Sequence, residues 1–369
     1  MRNLVSYAED ILESFSALPF GPVDSLILSW VSYLRLPPEA AGAHTWQGMP
    51  MRELFRAEYF PQLFQGVWDR ENSQRLLTAL AASPRFRDTL VVGYTQQLDR
   101  DQEKQFAALS FQLTPDLAYA AFRGTDNSLV GWKEDFNMAF RYPVPSQEAA
   151  LDYLTRAARV CTGRLRTGGH SKGGNLAVYA AANCPPAVRD RLDRVYSHDG
   201  PGFSQTVLQS EPFQRILPRV EKTLPQSSVV GLLLESQAAY RVVKSRRVSV
   251  LQHDPFSWEV VETDFAYLPQ LAPDARYWDR TLDDWVRGLS DQERERFVEA
   301  LFQVLSTNDI ATFSQFKTGW QKNLPAVVHA AASLDPDTRT FFFRVLGELA
   351  SVSLRNFPEL LRDHKPHIT

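Results

Sequence analysis

The chain has 369 residues, 44% of them hydrophobic and 22% charged, with a formal net charge of -3. That length allows one large domain with elaborations or two domains, and the charge offers no footprint for a polyanion, so nucleic-acid binding is excluded as an expectation. Cys161 and Cys184 could form one bridge at most, no secretory signal opens the sequence, and Leu26 to Leu34 is too short to span a bilayer, so a reducing cytoplasm is expected.

Residues 1–89 carry helical spacing with proline punctuation, at Ala8 to Leu18, Val23 to Leu34, Arg52 to Phe64 and Asn72 to Ala81. A helical N-terminal portion packed on a core is therefore expected. From Leu90 the texture changes to three β-rich runs, Leu90 to Leu98, Gln105 to Leu113 and Leu117 to Phe122, which suit an antiparallel meander leading into a larger sheet. Between Asn127 and Val144 lie Leu129, Val130, Trp132, Phe136, Met138 and Phe140, either a lid over an apolar channel or a cap on the core.

Strand and helix then alternate. A helix is predicted from Gln147 to Val160, a strand at Arg164 to Thr167, a helix from Leu176 and a strand at Asp193 to Ser197. A helical stretch from Gln205 to Val220 and a strand at Ser228 to Leu234 follow. Such alternation predicts parallel βαβ units over residues 90–265, with ligands at the carboxyl ends of the strands. Residues 266–369 read as helices, at Leu282 to Leu289, Asp291 to Leu305, Thr312 to Trp320, Ala326 to Ala332 and Thr338 to Phe357.

The chemistry centres on Gly169-His170-Ser171-Lys172-Gly173, a Gly-x-Ser-x-Gly set between a strand-like and a helix-like segment. A serine on such a turn sits at a strained backbone angle, and small residues two before and two after it let strand and helix approach. The Lys172 amide, at the helix N-terminus, is placed to stabilise an oxyanion. The plain alternative is a glycine-rich turn with no chemistry.

A serine nucleophile needs a base and usually an acid to orient it. Of the later histidines His198, His253, His329, His364 and His367, the preferred base is His253, after the β-rich run Arg247 to Gln252; His329 falls in a helix-like run and the last two in a polar tail. Two acids compete. Glu235 follows the Ser228 to Leu234 strand, and Asp199 follows the Asp193 to Ser197 strand in a glycine-rich loop that favours close approach. A possible hairpin between Tyr240 to Ser245 and Val248 to Gln252 leaves strand numbering open. Thr125, in Phe122-Arg123-Gly124-Thr125, is the candidate second oxyanion donor.

Phe122-Arg123-Gly124-Thr125, with Trp132 and Asp135, followed by Gly169 to Asn175, resembles the class 3 lipases. The segments Ser171 to Ala177, Asp199 to Phe203, Tyr240 to Ser245 and Gln252 to Trp258 resemble more narrowly the Mbeg-like bacterial α/β-hydrolases, a family of undefined function. The resemblance covers roughly residues 1–265. It implies an α/β-hydrolase fold of class 3 lipase type, with a central, mostly parallel sheet and flanking helices; the C-terminal helical region read above lies beyond it. It also implies Ser171 as nucleophile and Thr125 in the oxyanion hole. Lys172 departs from the usual leucine and argues against a purely greasy acyl pocket.

The expected activity is hydrolysis of small or lipid-like acyl esters through an acyl-enzyme, without metal or cofactor; a thioesterase or amidase would use the same groups. The competing expectation is a catalytically silent α/β-hydrolase fold acting as a binding or scaffolding module. Oligomeric state is not legible.

Overall fold

A computed structural model describes residues 2–126, 128–234, 239–306, 331 and 334–363. The chain divides into two compact units. The first comprises Met1–Gln97, Phe106–Gly124 and Pro145–Leu271, and the second Leu98–Gln105, Thr125–Val144 and Ala272–Thr369.

The first unit is built on a sheet of nine strands: β1 (Met49–Pro50), β2 (Leu90–Asp99), β3 (Lys104–Thr114), β4 (Leu117–Phe122), β5 (Arg164–His170), β6 (Leu192–His198), β7 (Val220–Pro225), β8 (Tyr240–Val243) and β11 (Tyr267–Leu268). Their spatial order is β1-β2-β3-β4-β5-β6-β7-β8-β11, and β9 (Val260–Val261) pairs with β10 (Asp264–Phe265) in a separate ribbon. Strands β4 through β8 run parallel, while β1 on β2, β3 on β4 and β11 on β8 are antiparallel. This is the α/β-hydrolase arrangement, a mostly parallel sheet with helices on both faces.

Alternation along β4 distributes those helices. Every residue of β4 is buried, as a strand covered on both faces must be. The Tyr119 hydroxyl lies 2.8 Å from Ser25 and 2.7 Å from Ser29 on the Pro22–Val31 helix, whereas Phe122, of opposite parity, meets Tyr153 on the Pro145–Val160 helix with ring centroids 5.9 Å apart. Side chains of opposite parity leave a strand on opposite faces, so these two helices cover opposite sides of the sheet.

The antiparallel runs after Leu90 fall where the sequence places them. So do two of the N-terminal helices, Pro22–Val31 and Arg70–Ala82, but the other two predicted there do not. The first spans Leu4–Asp10, because Asn3 Oδ1 accepts from the Val5 and Ser6 amides at 3.0 and 3.2 Å and starts it there; Ala8 to Leu18 is not one helix. Arg52 to Phe64 breaks into two single 3₁₀ turns and the short helix Phe60–Leu63.

Three expectations further on are corrected. Gln205 to Val220 is not continuous: Gln205–Leu208, Glu211–Ile216 and a 3₁₀ turn at Leu217–Arg219 replace it, with Pro212 and Pro218 entering the first turns of the second and third pieces. Ser228 to Leu234 is not a strand. The strand is β7, eight residues earlier, disguised by buried polar side chains. Thr223 bonds His198 at 2.7 Å, and Lys222 Nζ donates to the Gly231 carbonyl at 2.8 Å. The Tyr240 hairpin is also absent, since β8 pairs with β7 and β11, and Ser249–His253 is a 3₁₀ turn.

In the second unit, the helices Pro273–Arg287, Asp291–Ser306 and Pro336–Asp363 share an apolar core that includes Leu289, Phe297, Phe342 and Val345. The segment read as a lid or cap contains the helix Leu129–Asn137. Its Leu129, Trp132 and Phe140 pack with Val298, Phe302 and Leu305, and Lys133 Nζ reaches Glu103 at 2.6 Å and Glu299 at 2.8 Å. Asn127 and the predicted Thr312 to Trp320 helix lie outside the described residues. No helix among the described residues is long and apolar enough to cross a membrane.

Candidate active site

The elbow forms because glycine removes side chains where backbone must touch backbone. A Cβ at Gly169 would stand 2.2 Å from the Gly173 carbonyl carbon, and one at Gly173 would stand 2.1 Å from the Phe122 oxygen. Strand β5 and the Lys172–Asn183 helix thus approach as the spacing requires, and Ser171 between them adopts φ 60° and ψ -137°. A non-glycine residue held there stores strain of order 1–3 kcal/mol, which the surrounding structure must offset. Gly124 brings the end of the β4 strand alongside, since its Cβ would meet the Ser171 Cβ at 2.9 Å.

The neighbouring strand repeats the device. His170 pairs with His198 across β5 and β6, the Ser171 amide donates to the His198 carbonyl at 2.9 Å, and Asp199, next along, also has positive φ, at 50°. Gly200 packs against this turn: its Cβ would lie 2.9 Å from the Ser171 oxygen. Asn175 closes the corner, accepting from Gln147 Nε2 at 2.8 Å and donating to the Gly202 carbonyl at 2.8 Å.

Asp199 is fully buried and its carboxylate is fully engaged. Oδ1 accepts from the Ser228 hydroxyl at 2.5 Å and the Gly231 amide at 3.1 Å, while Oδ2 lies 2.6 Å from His253 Nδ1. The carboxylate can only accept, so Nδ1 carries a hydrogen, and in the neutral ring the lone pair is then on Nε2. His253 is 28% exposed at the side chain. It ends the 3₁₀ turn Ser249–His253 rather than a strand, which corrects the sequence expectation of its setting. Its ring lies 4.5 Å, centroid to centroid, from that of His170, the residue before Ser171.

Of the two proposed acids, the structure brings Asp199 to His253; Glu235 lies outside the described residues, as do His329, His364 and His367. His198 is fully buried between Ser25 and Thr223, and burial pushes its basicity down to about 3. Lys172 is 1% exposed. Thr125 begins the second unit, where its hydroxyl lies 2.5 Å from Asp135 Oδ2.

Sequence reasoning missed Ser228 and Gly231, which cradle Asp199, because their apolar neighbours read as a strand. The useful signal was Gly231, an unlikely interruption of a strand.

A sequence profile of the Mbeg1-like family matches residues 80–303. The chain belongs to the Mbeg1-like family. The match spans the elbow, Asp199 and His253 together. No curated protein sequence matches the chain. Among solved structures it is similar to a fungal lipase in complex with an inhibitor, at 16% identity and TM-score 0.37, covering 59% of this chain and 75% of that one. It is similar also to the Rhizomucor miehei lipase in its propeptide complex, at 14% identity and TM-score 0.38, covering 62% of this chain and 76% of the other. The M37 lipase matches at 13% identity and TM-score 0.36, over 71% of this chain and 92% of the lipase.

Proposed function

We propose that this Mbeg1-like protein is a serine hydrolase of acyl esters, small or lipid-like, with Ser171 as nucleophile, His253 as base and Asp199 as the acid that orients it. The observation that carries the reading is the 2.6 Å bond from His253 to Asp199, whose strand ends beside the one that leads into the strained Ser171. A structural turn has no need of a buried carboxylate aimed at a partly exposed imidazole.

In this reading Ser171 Oγ attacks the ester carbonyl carbon as its proton passes to His253 Nε2. Asp199 stabilises the resulting imidazolium through Nδ1–H. The negative charge on the carbonyl oxygen is met by the Lys172 amide at the helix N-terminus. Thr125 is the second donor on the strength of its motif alone. Collapse expels the alcohol, which takes the proton back from His253, and leaves the acyl group on Ser171. Water then attacks that acyl group with His253 again as base, releasing the acid and restoring the serine.

The test is covalent labelling by a fluorophosphonate, comparing wild type with Ser171→Ala, His253→Ala and Asp199→Asn. Labelling by wild type alone, with all chains folded, is the expected result and opens a screen of ester, thioester and amide substrates by chain length. A folded wild type that does not label overturns the reading in favour of a silent binding or scaffolding module.

A further inference from the structure

His253 is carried by a turn, not by the sheet, so something must fix its place. The flanking residues are tied down: the Ser227 amide donates to Gln252 Oε1 at 2.8 Å, Trp258 Nε1 donates to the Gln252 carbonyl at 2.8 Å, and Arg247 pairs with Asp254 at 3.0 Å. His253 itself has one further anchor. His170 Nε2 lies 2.9 Å from the His253 carbonyl oxygen, and a carbonyl only accepts, so this nitrogen carries the hydrogen. On its other side, the Tyr33 hydroxyl lies 3.1 Å from His170 Nδ1 and 3.3 Å from the His170 carbonyl oxygen, and its one hydrogen can be donated to either.

We propose that His170 is a positioning residue for the base: its Nε2–H, braced by Tyr33, holds the His253 backbone so that the imidazole stays aligned between Asp199 and the substrate. The inference rests on the serine hydrolase reading above. His170 is 3% exposed, and burial, the nearby His253 and His198 holding its basicity well below the ordinary 6.5 against the opposing pull of its bond to the His253 carbonyl, keeps it neutral. A neutral ring 4.5 Å from His253 does not repel the imidazolium that forms there during turnover. A wholly apolar ring in its place would fill the space but release the carbonyl, and misplacement of a reacting group by about 1 Å can cost about 100-fold.

Two variants separate the hydrogen bond from the packing. His170→Phe keeps a ring and loses the donor; His170→Gln keeps an N–H donor. The readouts are the fluorophosphonate labelling rate, the division of any ester-hydrolysis defect between kcat and KM, and the NMR resonance of the His253 Nδ1 proton in histidine-labelled protein. The expected result is a fall of about 10–100-fold in labelling and kcat for His170→Phe with KM little changed, recovery in His170→Gln, and loss of the proton resonance only in the former. Wild-type labelling and an intact resonance in His170→Phe overturn the proposal, and so does an equal defect in both variants, which would mean that the ring's shape matters and its N–H does not. If wild type does not label at all, the hydrolase reading fails separately, and the resonance still decides whether His170 orders His253. If His170→Phe does not fold, Tyr33→Phe provides the same comparison: a weakened resonance supports the brace and an unchanged one overturns it.

Discussion

Asp199 and His253 are 54 residues apart in the chain and 2.6 Å apart at Oδ2 and Nδ1. The contact fixes the tautomer of the imidazole, which is what a general base requires. Asp199→Asn presents an amide that can donate as well as accept, so the imidazole can turn or carry its hydrogen on the other nitrogen. The labelling rate and kcat should fall by about 10³–10⁴-fold with the melting temperature little changed. A variant that labels as fast as wild type would remove Asp199 from the mechanism.

Gly231 should be intolerant of a methyl group. A Cβ there would lie 2.4 Å from Asp199 Oδ1 and 2.3 Å from Leu224 Cδ2. Gly231→Ala must therefore push the acid off its cradle or shift the turn, costing roughly 1–3 kcal/mol by overpacking. Urea unfolding reads the stability and labelling reads the displacement; an alanine variant equal to wild type in both would mean that the turn relaxes freely.

Stability should depend on pH in a window set by buried histidines. Burial pushes His198 from 6.5 down to about 3 and His170 well below 6.5, so below 6.5 the unfolded chain binds protons that the folded chain refuses. Unfolding free energy is then level above pH ~6.5 and falls below it by about 1.4 kcal/mol per pH unit for each histidine that stays neutral in the fold, which for His198 continues down to about pH 3. Urea titrations at pH 7.5 and 5.5, above the range where carboxylates protonate, measure the slope. A flat profile between them contradicts the burial.

A buried ion pair braces the N-terminal helices. Arg85 meets Asp24 through Nε–Oδ1 at 2.8 Å and Nη2–Oδ2 at 2.6 Å, and Tyr7 donates to the same carboxylate at 3.1 Å. Both charged side chains are fully buried. Arg85→Met should cost about 3–5 kcal/mol because it strands the carboxylate, and adding Asp24→Asn should recover part of that. Denaturant midpoints of the two single variants and the double variant test the coupling; simple additivity would count against it.

The elbow was legible because its requirement is steric and local: Gly169 and Gly173 are spaced as the crossing of strand and helix demands. Asp199 was legible in part, through the glycine at 200 that lets the backbone close on Ser171. The His253 setting was read wrongly because the apolar spacing of Arg247 to Gln252 suits a strand as well as a turn, and tertiary bonds to Ser227 and Trp258 decide between them. Strand β7 was hidden for the opposite reason: Lys222 and Thr223 look solvent-facing in sequence, and only their partners Gly231 and His198 explain their burial. That Leu98–Gln105 and Thr125–Val144 belong with the C-terminal helices could not be read, since they join them across more than a hundred residues.

The pairing of His170 with His198 acts as a gauge mark for the whole site. A single residue inserted within β5 or β6 would turn Ser171 or Asp199 to the other side of the sheet, since side chains alternate with a period of two. Length variation in relatives that keep the Asp199–His253 contact is therefore expected in the connections between strands, with the distance from each buried strand segment to its terminal turn held constant.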